Sequence, residues 1–334
     1  MLGAAQSAHN VPMRRAFFFL VFLLICAAPR AQAIFSDGFE GAAAPAAFHG
    51  TNLVGMEFFY GPFDANNGPV AGTDYPAFDT RLIDYFASKH VGALRFLFSW
   101  EGMQTTLMGP IPASNSGSYK AYYDNYVRIV DYATNTKGLT VIVTPWQASP
   151  GGIGGATYRG VLVGDPAVPV AAWSDFWTKI ATIFKDNPRV RFALVTEPHD
   201  MSTMAWWSIA QAGITAIRAS GATQRIYVPG NGYDAAGSWT DDYYDTAATP
   251  RSNAYGYLNA NGVGQPIADP ANNFAFEVHQ YLDGDASGTS AQIVSAVLRS
   301  SASATAPRMT AATPPTPMAS PTESPEAMPT CRGR

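Results

Sequence analysis

Residues 191–200 have the sequence Arg-Phe-Ala-Leu-Val-Thr-Glu-Pro-His-Asp, in which an apolar run leads directly into a carboxylate. The run from Phe192 to Thr196 is short, and amphipathic helical patterns lie on both sides of it. Such a run predicts a strand buried on both faces of a parallel sheet. Pro198 ends the strand, so Glu197 stands at its C-terminal end, where α/β enzymes carry their catalytic groups. Glu197 is therefore the candidate catalytic residue.

The same alternation of strands and helices continues along the chain. The apolar patterns predict helices at 78–88, 119–136, 171–185 and 204–220, and strands at 52–57, 92–97, 139–144, 192–196, 225–228 and 273–278. Strands that alternate with helices at this spacing indicate α/β units with a parallel sheet. The number of units favours a TIM (β/α)8-type barrel over an open sheet. The last two βα units are not recognisable, so the predicted barrel is incomplete.

The N-terminal residues have the pattern of an export signal. Met13-Arg14-Arg15 precedes an apolar run, and Ala31-Gln32-Ala33 supplies small residues around a cleavage site. We predict a signal peptide region at 1–33, with Met13 as the true start and cleavage near Ala33, and hence a secreted protein. The apolar run is too short to span a bilayer comfortably, so no membrane association is expected after cleavage.

Composition suggests three further segments and excludes several functions. Residues 34–50 are predicted to be a linker, residues 51–299 the barrel domain, and residues 300–334 a disordered tail rich in Pro, Ala, Ser and Thr. A hydrophobic content of 47% with 14% charged residues indicates a globular protein. The net charge of −4 argues against a nucleic-acid partner. No His/Cys/carboxylate cluster with metal-ligand spacing is present, so neither a metal nor a cofactor is expected. The protein is expected to be a monomer.

Four polar residues occupy the same kind of position, the C-terminal end of a predicted strand. They are Arg95, Glu197, His279 and Tyr281. Each has a structural alternative: Arg95 could pair with a carboxylate inside the barrel, His279 could be a hydrogen-bonded core histidine, and Glu197 could cap the next segment. Because the carboxyl ends of barrel strands meet on one face, their shared position favours a common site.

Three segments resemble the cellulases of glycoside hydrolase family 5, in particular the fungal-type endo-β-1,4-glucanases. They are Glu-Pro-His-Asp-Met at 197–201, Val-Pro-Gly-Asn-Gly-Tyr-Asp-Ala-Ala-Gly-Ser-Trp at 228–239, and Asp-Pro-Ala-Asn-Asn-Phe-Ala-Phe-Glu-Val-His-Gln-Tyr-Leu-Asp at 269–283. The resemblance covers roughly residues 52–297. It implies a TIM barrel that cleaves β-glucan with retention of configuration, a reaction that needs two carboxyl groups.

The resemblance also implies roles for individual residues. Glu197 would be the general acid/base, Arg95 would hydrogen-bond the nucleophile, and His279 and Tyr281 would position the site. Substrate contacts would come from Thr196, His199, Trp239, Trp146 and Trp100, the tryptophans acting as stacking platforms for sugars. For each tryptophan, packing in the core is the alternative.

The chain departs from the family pattern in three places. Thr196 stands where the family has an asparagine that contacts the sugar, and Thr-Pro-Trp-Gln at 144–147 replaces a His-Asn pair. The nucleophile is unknown, because Glu323 and Glu326 lie in the Pro-rich tail without an apolar strand before them. A change of reading frame near codon 297 is one hypothesis for this loss, and translation of the other two frames would test it.

Three functions follow as hypotheses. The first is a secreted endo-β-1,4-glucanase. The second is a catalytically impaired relative that binds polysaccharide but lacks the nucleophile. The third is a hydrolase of the same fold that acts on another β-glycan, such as mannan or xylan.

Overall fold

A computed structural model of the chain describes residues 49–58, 69–111, 117–146 and 156–280. The signal peptide region at 1–33, nearly all of the linker at 34–50, Tyr281 and the tail at 300–334 lie outside these ranges. None of the helices in the described ranges is both long enough and apolar enough to cross a lipid bilayer.

The strands of the described ranges fall into two sheets. In chain order they are β1 (Gly50–Leu53), β2 (Ala93–Phe98), β3 (Thr140–Pro145), β4 (Thr157–Tyr158), β5 (Val161–Leu162), β6 (Val190–Ala193), β7 (Ile226–Pro229) and β8 (Phe274–Glu277). β4 and β5 form a small antiparallel hairpin, and the other six form one parallel sheet in the order β1-β2-β3-β6-β7-β8. All six predicted strands are confirmed.

Helices separate these parallel strands. They are α1 (Thr80–Ser88), α2 (Trp100–Met103), α3 (Ser118–Asp131), α4 (Val170–Phe184), α5 (Thr203–Ala219) and α6 (Asn253–Leu258). A π-helical turn at Tyr132–Thr136 continues α3. The four predicted helices are confirmed, and α5 begins where the Ser202 hydroxyl accepts a hydrogen bond from the Ala205 amide. The short helices α2 and α6 and the hairpin were not predicted, because segments this short carry little periodicity.

Alternation along the strands separates an apolar layer from a polar interior. Phe96 and Phe98 of β2 contact Tyr126 of α3, whereas Arg95, next to Phe96, turns to the opposite face. On β8, Phe276 packs against Trp207 of α5, and the next residue, Glu277, also turns away. The hydrophobic core therefore lies between the sheet and the helices, and charged residues project to the enclosed side.

The contact between Arg95 and Glu277 shows that the sheet is strongly curved. The two residues lie on β2 and β8, with β3, β6 and β7 between them. Since neighbouring strands are ~4.8 Å apart, β2 and β8 would be about 19 Å apart in a flat sheet. Yet the Arg95 guanidinium donates a hydrogen bond to the Glu277 carboxylate. The sheet therefore curls around this ion pair, as the strands of a barrel do.

The observed bounds of two strands change the position of key residues. The strand expected at 192–196 is β6, Val190–Ala193, so Glu197 follows the strand by several residues and has a left-handed backbone with φ of 53°. The strand expected at 52–57 is β1, Gly50–Leu53, so Glu57 lies beyond it. In both cases the pairing of the strand starts earlier than the apolar pattern suggests, as Val190 pairs with Val141 of β3.

Candidate active site

Polar side chains from five segments meet at the C-terminal ends of the parallel strands. They are Arg95 on β2, Thr144 on β3, Glu197 after β6, Asp234 after β7, and Glu277 with His279 at the end of β8. Because strand order is sequential, residues far apart in sequence converge here. Three of the four strand-end residues expected from the sequence are thus brought together, and the fourth, Tyr281, lies outside the described residues.

Hydrogen bonds join these side chains into one network. The Arg95 Nε donates to Thr144 Oγ1 at 2.9 Å, and its Nη1 donates to Glu277 Oε1. The His279 Nε2 lies 2.8 Å from the same Glu277 oxygen, and its Nδ1 lies 2.9 Å from Glu197 Oε1. His279 therefore connects the buried ion pair to the candidate acid/base.

Accessibility divides the network into an outer and an inner part. The side chain of Glu197 is 23% exposed, whereas those of Arg95, Glu277 and His279 are 5% exposed or less. Only Glu197 of these four can therefore reach a ligand. Since His279 holds Oε1, the second carboxylate oxygen of Glu197, Oε2, is left to contact a substrate.

The charges of the network follow from its contacts. Both nitrogens of His279 face carboxylate oxygens, and both can donate only when the ring is an imidazolium. Burial alone would lower the pKa of His279, but the hydrogen bonds to Glu197 and Glu277 raise it to about 10. Burial would likewise raise the pKa of Glu277, yet the Arg95 guanidinium and His279 hold it below its usual value. His279 is thus positively charged at neutral pH.

Asp234 is a further buried carboxyl beside this network. Its Oδ1 accepts a hydrogen bond from the Gly230 amide at 2.7 Å, and its backbone carbonyl accepts one from the His279 amide at 2.8 Å. Its Oδ2 has no hydrogen-bond partner among the described residues. Complete burial raises the pKa of Asp234 well above its usual value, against the opposing effect of His279. Burial therefore favours the protonated, neutral form of the Asp234 carboxyl.

Asp234, Glu277 and His279 also have the side chains of a metal site. One ligand-type atom from each lies within 4.8 Å of the others, a cluster that the sequence analysis did not expect. A metal would need an unprotonated His279 nitrogen, but both of its nitrogens contact carboxylates, and the Arg95 guanidinium already neutralises Glu277. The Arg95 guanidinium and the His279 imidazolium already supply two positive charges beside Glu277, and burial favours a proton on Asp234. A proton fits this cluster better than a cation does.

Two predicted substrate-binding residues flank Glu197. Thr196 is buried, and its hydroxyl makes no hydrogen bond to any described residue. His199 is also buried, with its Nδ1 2.9 Å from Asp200 Oδ2. Its ring stacks on Tyr233 at a centroid distance of 4.2 Å and an interplanar angle of 16°. Both residues therefore lie at the site, and His199 leads from it to an exposed tyrosine.

The structure separates the three predicted tryptophan platforms. Trp100 is buried in α2 against Trp173 and Phe176 of α4, so its expected role as a sugar platform is wrong. Trp239 packs edge-on against Trp207 and Phe276, but it is only partly buried, so its expected contact with the sugar stays a prediction.

Trp146 differs from the buried Trp100. It follows directly on β3, is partly exposed, and packs edge-on against Phe58 at a centroid distance of 5.3 Å. It therefore stands at the strand ends and is partly accessible.

Sequence reasoning missed Glu277, Asp234 and Tyr233 as members of the site. Glu277 precedes His279 by two residues, so strand alternation places both on one face and could have identified it. Asp234 and Tyr233 adopt left-handed backbone conformations with φ of 54° and 61° in the loop after β7. Such conformations have no periodic pattern that would reveal the direction of the side chains.

A model of the cellulase family, glycosyl hydrolase family 5, matches residues 46–313. The chain belongs to glycosyl hydrolase family 5. Endoglucanase 1 of Robillarda sp. is 32% identical over 232 residues, which are 67% of this chain and 55% of that protein. Endo-β-1,4-glucanase B of Aspergillus niger is 29% identical over 277 residues, which are 83% of this chain and 71% of that protein. The chain thus spans between about half and three quarters of the length of these two relatives.

Solved structures of endoglucanases have the same fold. An endo-β-1,4-glucanase from Xanthomonas axonopodis pv. citri is 32% identical with a TM-score of 0.59, over 76% of this chain and 72% of that one. An endoglucanase from Pseudomonas stutzeri, in complex with cellobiose, is 26% identical with a TM-score of 0.53, over 74% and 64%. These similarities confirm the family and the TIM-type barrel, of which the described residues contain six parallel strands.

Proposed function

We propose that this family 5 member is an endo-β-1,4-glucanase that hydrolyses β-glucan with retention of configuration. The observation that carries the proposal is Glu197, a carboxylate that reaches solvent and is hydrogen-bonded to the imidazolium of a buried network at the strand ends. The names of the fungal and bacterial relatives support β-1,4-glucan as the substrate.

In this proposal Glu197 transfers the protons of both steps. In the first step Oε2 gives its proton to the glycosidic oxygen, and in the second the carboxylate takes a proton from the attacking water. His279 holds Oε1 and so fixes the direction of Oε2, while Arg95 fixes His279 through Glu277. Tyr281 is proposed to help position the site. Thr196, His199, Trp146 and Trp239 are proposed to contact the sugar.

The nucleophile is not one of the network's other carboxylates. A retaining mechanism needs a second carboxyl group about 5–5.5 Å from the first and in contact with the sugar. Glu277 is buried and held by Arg95 and His279, and Asp234 is fully buried, so neither can attack a sugar. We therefore assign Glu197 alone, and the partner carboxylate lies outside this network.

A second function, polysaccharide binding without turnover, is favoured by Thr196. The family asparagine at this position would offer an amide to the sugar, whereas Thr196 offers a buried hydroxyl with no hydrogen-bond partner among the described residues. A weakened contact at this point reduces transition-state stabilisation while it leaves the cleft intact. Hydrolysis of another β-glycan, such as mannan or xylan, is the third candidate.

The remaining features of the proposal concern the whole protein. We infer a monomer that is secreted after cleavage of the signal peptide near Ala33, with no nucleic-acid partner and no cofactor. The barrel domain is assigned to 51–299, between the linker at 34–50 and the tail at 300–334.

Release of reducing ends from carboxymethylcellulose tests the function, with Glu197→Gln as the decisive variant. We expect wild-type turnover and a loss of at least about 100-fold in Glu197→Gln, because general acid catalysis contributes about 10²–10⁴-fold. Asp186→Asn is the matched control, since it removes an exposed carboxylate from the loop that precedes β6, at the opposite end of the same strand. Near-normal turnover by Glu197→Gln would refute the assignment.

Two further measurements separate the other functions. Absence of wild-type turnover with retention on insoluble cellulose would favour polysaccharide binding without hydrolysis. A panel of mannan, xylan and glucan tests hydrolysis of another β-glycan.

A further inference from the structure

A row of aromatic side chains extends from Glu197 across the loop that follows β7. The His199 ring stacks on Tyr233, and Tyr233 packs edge-on against Tyr244 with ring centroids 6.3 Å apart. Tyr244 in turn packs edge-on against Tyr243 at 5.2 Å. The three tyrosines are 46%, 41% and 81% exposed in the order Tyr233, Tyr244, Tyr243. They form one continuous aromatic surface beside the active site, which we call the tyrosine shelf.

Tyr233, the first tyrosine of the shelf, lies close enough to Glu197 to feel its charge. Tyr233 is the residue on which His199 stacks, and its backbone amide donates to the Pro198 carbonyl, directly after Glu197. Burial, followed by the negative charges of Asp200 and Glu197, raises the pKa of Tyr233. The shelf and Glu197 therefore belong to one surface.

Packing and hydrogen bonds fix the shelf in place. Gly232 has φ of 76°, and a Cβ there would lie 2.4 Å from the Tyr244 Cβ, so only glycine allows Tyr244 this position. The Asp245 carboxylate accepts hydrogen bonds from the amides of Thr203, Ala247 and Arg251. The Tyr243 amide donates to Asp241 Oδ1. Rings held in this way lose little freedom when a ligand binds, which favours affinity.

Other exposed tyrosines of the described ranges have different surroundings. Tyr85 lies on α1, in the helical layer, and contacts Phe86. Tyr255 stacks with the Arg251 guanidinium at 4.8 Å. Single exposed aromatic residues are normal on protein surfaces, whereas a contiguous group beside a catalytic residue indicates a binding surface. Tyrosine presents an apolar ring face and a hydroxyl, the two features that bind the faces and hydroxyl groups of a sugar.

We propose that Tyr233, Tyr244 and Tyr243 form a sugar-binding shelf that holds a β-glucan chain as it leaves Glu197. This inference rests on the proposed function, which supplies the glucan, and adds the residues that bind the chain away from the reacting bond. The shelf makes affinity depend on chain length, because a longer oligosaccharide reaches more of its rings.

Calorimetric titration with cellohexaose tests the shelf, with Glu197→Gln as the background so that the ligand is not cleaved. We expect Tyr244→Ala and Tyr243→Ala to weaken binding by about tenfold, which is about 1.4 kcal/mol. Tyr244→Phe should restore most of the affinity, because it keeps the ring. Tyr85→Ala is the matched control and should bind as the parent does, since it removes an exposed tyrosine from the helical layer, with an exposure between those of Tyr244 and Tyr243.

Two results would be decisive. Parent-like affinity in Tyr243→Ala and Tyr244→Ala would overturn the shelf and leave the proposed function standing. No binding of cellohexaose by the parent would overturn both. If Tyr244→Ala unfolds, Tyr243→Ala remains informative, because a residue that is 81% exposed contributes little to folding.

Discussion

Of two buried glutamates in this barrel, Glu277 is ionised and Glu57 is neutral at pH 7, and their surroundings explain the difference. Glu277, at the end of β8, contacts the Arg95 guanidinium and the His279 ring, and its pKa is lowered despite complete burial. Glu57, after β1, accepts hydrogen bonds from the backbone amides of Gly55 and of Glu57 itself, and burial raises its pKa to about 8. Burial penalises the charged form equally in both places. The presence of a cationic partner decides which carboxyl is ionised.

Glu277 therefore belongs to the charged network of the candidate site, whereas Glu57 belongs to a region in which neutral groups pack together. Next to Glu57, the Tyr122 hydroxyl donates to the Met56 carbonyl and accepts from the Ser99 amide. These are contacts among neutral groups in the layer between sheet and helices. A chain that buries one charged carboxylate must therefore also bury its cation, whereas a neutral carboxyl needs only hydrogen bonds.

Removal of the cation should have the largest effect. Arg95→Ala leaves Glu277 buried beside only one cationic group, and we expect a loss of about 3–5 kcal/mol in the free energy of unfolding. Urea denaturation at pH 7 measures it. Arg81→Ala is the matched control, because Arg81 pairs with Asp79 at the surface, where an ion pair adds little. A loss in Arg95→Ala no larger than that in the control would show that Glu277 does not depend on Arg95 for its charge.

Glu57 should give the protein a pH-dependent stability of the opposite sign to that of an ion-paired carboxylate. Below its ordinary pKa of 4.5 the group is protonated in both the folded and the unfolded chain. Between 4.5 and about 8 the unfolded chain releases the proton and the folded chain retains it, so the free energy of unfolding falls as pH rises, by an amount on the order of a few kcal/mol. Glu57→Gln is neutral in both states and should lose this dependence.

Urea denaturation of wild type and Glu57→Gln at pH 5 and pH 8 measures this effect. We expect the variant to gain stability relative to wild type as pH rises. Asp186→Asn, which removes an exposed carboxylate, should follow the wild-type profile. Parallel profiles for wild type and Glu57→Gln would mean that Glu57 is ionised in the folded protein, and the contrast with Glu277 would disappear.

The sequence predicted the strands that carry Glu57 and Glu277 better than it predicted which of these carboxyl groups is ionised. Apolar runs located the six parallel strands, and strand ends located Arg95, Glu197 and His279. Glu57 was placed at the end of a strand that in fact stops at Leu53, so its burial was not expected. The family resemblance placed Trp100 at the cleft, whereas Trp100 is fully buried. It lies in a four-residue helix, which is too short for periodicity to show which residues are buried. Protonation depends on contacts between distant strands, which no local pattern contains.

Asp234 provides the finest test, because it lies beside the charged network and yet is predicted to be neutral like Glu57. If its carboxyl is protonated, Asp234→Asn replaces one neutral group by another of the same shape, and Asn can still accept from the Gly230 amide through its Oδ1. We expect a change in the free energy of unfolding below about 1 kcal/mol at pH 7, within the range of mild substitutions. Glu277→Gln, at the end of the neighbouring strand β8, removes the negative charge that contacts Arg95 and His279. It should lower the free energy of unfolding several times more than Asp234→Asn does. Equal losses from the two substitutions would place an ionised Asp234 in the network, and the cluster with Glu277 and His279 would then need a cation where we infer a proton.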